Sequence, residues 1–144
     1  RKSYSGNAAL FSAAFVFVGF FMMFVFLGAL NMAIAVMLGA FGAHGLKNKV
    51  TVEQLAWWHT GVEYHVYHAL ALLILGTLIA AQPQLAIPKG SAWALQIGIV
   101  IFSGSLYAMT LGAPRWFGAI TPIGGTAFIV GWLWLAYSAW HKGI

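Results

Sequence analysis

Trp58-His59-Thr60-Gly61-Val62-Glu63-Tyr64-His65-Val66-Tyr67-His68 runs without a break into Ala69-Leu70-Ala71-Leu72-Leu73-Ile74-Leu75. One of the chain's two carboxylates and three of its five histidines thus border a purely apolar run, with the other carboxylate, Glu53, just upstream. The run is too short to cross a bilayer alone, because a hydrocarbon core of about 30 Å asks for about 20 residues. A helix that crosses must therefore begin near Thr60 and take Glu63, His65 and His68 into its first turns. Ionisable groups at or just inside a membrane boundary are costly, so this is where any chemistry has to be sought.

The rest of the chain fixes the class. Of 144 residues, 62% are hydrophobic and 6% charged, and the mean hydropathy is +0.88. No water-soluble domain of ordinary composition has these values, and an all-α integral membrane protein is expected. The net charge of +5 comes from seven Lys and Arg, set singly or in pairs beside apolar runs. That is the chemistry of membrane flanks rather than a nucleic-acid footprint. The absence of cysteine excludes disulfides, thiolate nucleophiles, iron-sulfur clusters and cysteine-type zinc sites. Arg1-Lys2 before an apolar run has the charge order of a signal peptide, but the run is far too long for its apolar region, and a leader is not expected there.

Four charge-free runs predict an antiparallel four-helix transmembrane bundle over residues 21–144, with helices near 21–43, 60–81, 92–112 and 118–140. Residues 1–20 read as an apolar, Phe-rich N-terminal extension (Phe11, Phe15, Phe17, Phe20) that lies along the interface or against a partner. The link from Lys47 to Trp57 reads as a polar turn and a short amphipathic piece starting at Thr51 or Val52. Pro83 and Pro88 bracket the second link, and Ala113-Pro114-Arg115 makes the third so short that its helices must be antiparallel neighbours. This topology gathers His44, His59, Glu63, Arg115, Trp116 and Thr121 near one membrane face. Small residues at helical spacing, Ala35, Gly39 and Ala43, then Gly104, Ala108 and Gly112, then Ala127 and Gly131, read as close-packing seams within the bundle.

Four blocks resemble the YgdD-like family of small four-helix membrane proteins, whose biochemical role is unassigned: Leu38-Gly39-Ala40-Phe41-Gly42-Ala43-His44-Gly45, Thr60 to Ala71, Phe102-Ser103-Gly104-Ser105-Leu106-Tyr107, and Thr121-Pro122-Ile123-Gly124-Gly125. The resemblance covers Phe21 to Tyr137. It implies a polar network of His44, Glu63, Tyr64 and His68, and helix-packing positions at Gly39, Gly104, Ser105, Pro122, Gly124 and Gly125. It also implies that His59 and His65 are local choices.

On an ideal helix His59 and Glu63 lie within roughly 40° of each other, with Tyr67 continuing their stripe, while His65 and His68 are roughly 60° apart on another side. The cluster is two faces rather than one site. A hydrogen-bonded network that locks helix packing is the expected role of these groups. A metal site lacks the His-Glu-x-x-His or Glu-x-x-His spacing, haem ligation lacks two histidines at one depth, and a hydrolytic triad lacks the Gly-x-Ser-x-Gly elbow. The expectation is therefore a non-enzymatic membrane protein without metal or cofactor. Its expected partners are the lipid bilayer and other integral membrane subunits or further copies of itself, with no nucleic acid, in a bacterial inner membrane or, alternatively, the mitochondrial inner membrane. The competing reading is a proton- or metal-linked transport element that uses Glu63 and His68.

Overall fold

The computed structural model describes the backbone over 3–142 and the side chains over 22–141. Its described residues are helical apart from short links, and four helices are long and apolar enough to cross a membrane: Met22–Leu46, Val52–Ala81, Lys89–Thr110 and Arg115–His141. The chain belongs to the class its composition demands.

Helix α1, Ser3–Ala40, runs straight into a widened π turn, Phe41–Leu46. The backbone is thus one helix from Ser3, whereas the interfacial or partner-contacting role expected of residues 1–20 concerns side chains outside the described residues. Asn48, at φ 68°, turns the chain after α1; asparagine is among the few residues that enter the left-handed region at low cost. Helix α2, Val52–Ala81, then starts on a capping box, in which the Thr51 hydroxyl accepts from the Gln54 N–H at 3.1 Å and the Gln54 side chain accepts from the Thr51 N–H at 2.9 Å. This cap corrects the expected start near Thr60. The residues read as a separate amphipathic piece are the first turns of the span itself, so His59 to His68 lie deeper along the helix.

The third span is α3, Lys89–Gly98, a π segment, Ile99–Ser103, and α4, Gly104–Thr110. It ends on a Schellman motif: the Ala113 N–H reaches the Ala108 carbonyl at 2.9 Å and the Gly112 N–H reaches the Met109 carbonyl at 3.2 Å. Gly112 has φ +101° there, a conformation that favours glycine, and Pro114 prevents the helix from resuming. A 3-10 turn, Arg115–Ala119, leads into α5, Thr121–Lys142.

Helix α2 packs along α1 on one flank and against the third span on the other, and α5 packs on the third span. Phe24, Leu72, Leu75, Leu95, Ile99 and Phe128 form the centre of the core. Two glycines set the first contact. A Cβ at Gly28 would lie 2.7 Å from the Leu73 backbone nitrogen, and one at Gly76 would lie 2.6 Å from that of Val25. Helix backbones meet this closely in membranes because lipid gives no hydrophobic drive and dispersion must do the work. Gly124 plays the same part between α5 and the π segment, with a Cβ there falling 2.3 Å from the Phe102 nitrogen. The expected seams are redrawn accordingly. Gly39 makes an ordinary contact with Val62 at 3.5 Å and Gly125 one with the Phe102 ring at 3.8 Å. A Cβ at Gly104 or Gly112 would meet nothing within 4 Å, so these two are not points where helices touch. Pro122 faces outward.

Candidate functional site

The polar groups of the bundle fall into an inward set and an outward set, both carried by α2. The inward set is centred on His65, only 5% exposed. The Leu27 carbonyl accepts from Asn31 Nδ2 at 2.8 Å, which fixes that amide; the same nitrogen donates to Gln96 Oε1 at 2.8 Å. Asn31 Oδ1 is left facing His65 Nε2 at 3.0 Å. An amide oxygen only accepts, so His65 carries its proton on Nε2, and its Nδ1 accepts from the Tyr107 hydroxyl at 3.2 Å. The chain Tyr107 to His65 to Asn31 to Gln96 therefore points every hydrogen one way and ties three spans together. Ser103, one turn before Tyr107, is fully buried with its hydroxyl outside good hydrogen-bond geometry.

The depth of this network follows from counting. Fifteen residues separate Asn31 from Leu46, thirteen separate His65 from Val52 and fourteen separate Gln96 from Thr110, all three ends being on one membrane face. At about 1.5 Å per residue the three side chains sit about 20 Å in from that face. They are level with one another and near the middle of the spans.

His68, also 5% exposed, faces the fourth span. Its Nδ1 lies 2.7 Å from the Tyr64 carbonyl, which can only accept, so Nδ1 bears the proton and Nε2 accepts from the Trp132 indole N–H at 3.2 Å. Its ring stacks on Phe128 at 3.5 Å and 10°, and Tyr64 packs on Phe102 at 4.7 Å. A second proton on His68 would point at the Trp132 N–H donor, so this arrangement holds the imidazole neutral. His65 and His68 are locked in opposite tautomers, His65 by partners on two other spans and His68 by the Tyr64 carbonyl of its own helix together with Trp132 of α5.

The outward set is the stripe His59, Glu63 and Tyr67, all exposed. Tyr67 donates to Glu63 Oε1 at 2.6 Å, its i,i+4 neighbour. Among the described residues Tyr67 is the one hydrogen-bonded to this carboxylate. His44 is exposed in the wide turn that ends α1, apart from both sets. The structure thus brings Tyr64 and His68 together, puts Glu63 on another face and leaves His44 out. It also gives the central place to His65, which the resemblance had implied was a local choice. Asn31 and Gln96 were not singled out from sequence at all. Among the described residues no three His, Asp or Glu side chains come together as a metal-ligand set.

Other polar contacts join the ends of the helices. Trp58, 1% exposed, donates its indole N–H to the Leu38 carbonyl at 2.8 Å, just ahead of the π turn. The Thr110 hydroxyl donates to the Gln54 carbonyl at 3.0 Å, and Ser105 meets Thr121 at 2.7 Å. These contacts hold the two short links side by side at one membrane face, as the four-span topology requires.

Segment 38–125 matches the model of a family described as a protein of unknown function (DUF423). The chain is similar to the UPF0382 membrane protein YwdK of Bacillus subtilis, 46% identical over 116 residues that make up 81% of this chain and 94% of that protein. It is similar to a UPF0382 membrane protein of Staphylococcus saprophyticus, 50% identical over 112 residues, 78% of this chain and 92% of the relative. One from Haemophilus influenzae is 41% identical over 114 residues, 79% of this chain and 90% of the relative. No solved structure matches. The matched segment contains His65, His68 and Tyr107 but not Asn31, Phe128 or Trp132.

Proposed function

The chain belongs to the DUF423 family and shares most of its length with bacterial UPF0382 membrane proteins, and from that premise we propose that it is a non-catalytic accessory or scaffold subunit whose outward α2 face docks onto another integral membrane protein. The observation that carries this reading is the position of Glu63. The third span has 22 residues, about 33 Å, and so has little to spare over a hydrocarbon core of about 30 Å. Its Thr110 end is bonded to Gln54 of α2, which supports a membrane boundary near Gln54. Glu63 stands nine residues further along, about 13 Å inside, and faces outward. A carboxylate at that depth belongs against protein rather than acyl chains. Tyr67 satisfies one of its oxygens only.

The inward histidines support the non-catalytic part of the reading, because each has its two ring nitrogens engaged and its tautomer fixed. A relay between Glu63 and His68 lacks a geometry, since the two groups lie on different faces of α2. A helical bundle of this kind suits a bacterial inner membrane, because outer-membrane spans are β-barrels.

The test is the substitution Glu63→Leu, which removes the charge and suits lipid. Native gels of mild-detergent extracts should show the protein leaving its high-mass complex, with the isolated protein as stable as before. If Glu63→Leu stays in the complex, the docking face lies elsewhere and the reading falls.

A further inference from the structure

Two of the few charged side chains, Glu53 and Arg115, line one cavity of about 330 Å3 at the membrane face that carries the links after the first and third spans. Thr51, Gln54, Trp57, Met109 and the Gly112-Ala113 turn complete it. Its walls are tied: the Thr110 hydroxyl donates to the Gln54 carbonyl at 3.0 Å, and Gln54 Nε2 reaches the Thr110 carbonyl at 3.5 Å. The cavity is therefore built by the fold and lies at the small end of ligand sites, which run to about 300–1,000 Å3. In a chain with only two side-chain carboxylates, one of them shares this cavity with a guanidinium.

The geometry points to a binding site for a zwitterionic phosphoethanolamine group, the head group of an aminophospholipid. Arg115 offers the planar fork that phosphate oxygens take in pairs. Glu53 offers acceptor oxygens for a primary ammonium, which a quaternary ammonium without N–H groups cannot use. Trp57 and Met109 supply apolar surface where the glycerol ester would leave the cavity, and the cavity opens at the level of the bilayer's own head groups. Lys47 and Lys49 are on the same face and add attraction for phosphate but not for the amine. The amine therefore makes Glu53 the residue that decides selectivity. This site is independent of the Glu63 face.

Native mass spectrometry of the full-length protein, with phosphatidylethanolamine, phosphatidylglycerol and phosphatidylcholine added in equal amounts, tests it. Phosphatidylethanolamine should be retained in preference to the other two. Glu53→Gln should lower its retention about tenfold while leaving phosphatidylglycerol unchanged, and Arg115→Gln should lower both. Both residues are exposed at the chain's surface, and unchanged helicity by circular dichroism shows that the variants are folded. Competition by free phosphoethanolamine separates the sources: no displacement of the lipid identifies the membrane head group, and displacement at equal concentration identifies a soluble zwitterion of the same chemistry. Equal retention of the three lipids, or retention indifferent to Glu53→Gln, overturns the proposal.

Discussion

His65 and Glu63 are two residues apart on α2 and live under opposite rules. His65 has every ring nitrogen bonded to another helix and is nearly sealed from the surface. Glu63 is exposed and, among the described residues, bonded only to Tyr67 of its own helix. One face of α2 has its polar groups bonded to other helices of this chain, and the other presents a carboxylate whose described partner is a neighbour on the same helix. The same residue types thus stand in two settings: inside they tie the spans together, and outside, on the reading proposed above, they are the groups a neighbouring membrane protein would meet.

Substitutions grade this contrast. The largest effect is expected where the inward face has no room at all. Gly76→Leu puts a side chain into the backbone of α1 at Phe24 and Val25, and should cost about 3 kcal/mol or more, read as loss of folded protein in detergent. His65→Leu should cost about 2 kcal/mol in thermal or denaturant unfolding, because Asn31 Oδ1 and the Tyr107 hydroxyl lose a buried partner. Adding Asn31→Leu to it should cost less than the sum of the two single changes, since they break one network. His68→Ala should cost about 1 kcal/mol through the lost stack on Phe128, with a change in Trp132 fluorescence as the local signal. The smallest effect belongs to the outward face: Glu63→Gln should change the stability of the isolated protein by no more than about 0.5 kcal/mol. A larger loss for Glu63→Gln than for His65→Leu would reverse the contrast and make the outward carboxylate a folding element.

Much of this was legible from residues. Four apolar runs between charged or Pro-bearing links gave the spans and their antiparallel order, and the aromatic and small-residue content fits a membrane bundle. The start of α2 was legible only in part. Thr51 and Gln54 spell a capping box, but Glu53, His59 and the tryptophans between them read as interface, and the helix was expected to begin eight residues late. That delay placed the histidines near the boundary rather than near the middle. The partners of His65 were hidden for a different reason. Asn31 and Gln96 are single polar residues in apolar helices, and helical periodicity within one span says nothing about which residues of two others share its depth. The usable signal was cost: a lone amide in a membrane span needs a partner, and His65 was the polar group free to supply one. Gly28 and Gly76 escaped notice because neither sits in a regular small-residue stripe, and only the crossing of α1 and α2 shows why a side chain is forbidden there.

The π segment at Ile99–Ser103 bears on the length of the third span. An α-helix that gains one residue rotates everything beyond it by about 100°, so that with Gly98 kept against Phe128, Ser105 would turn away from Thr121. A π turn carries the additional residue within its own circumference and leaves the helix on either side in phase. The third span thus holds one residue more than a regular helix joining the same two contacts. Its sequence can be shortened by one at this place while both ends keep their neighbours, whereas the same deletion in Lys89–Gly98 or Gly104–Thr110 would put one end out of step.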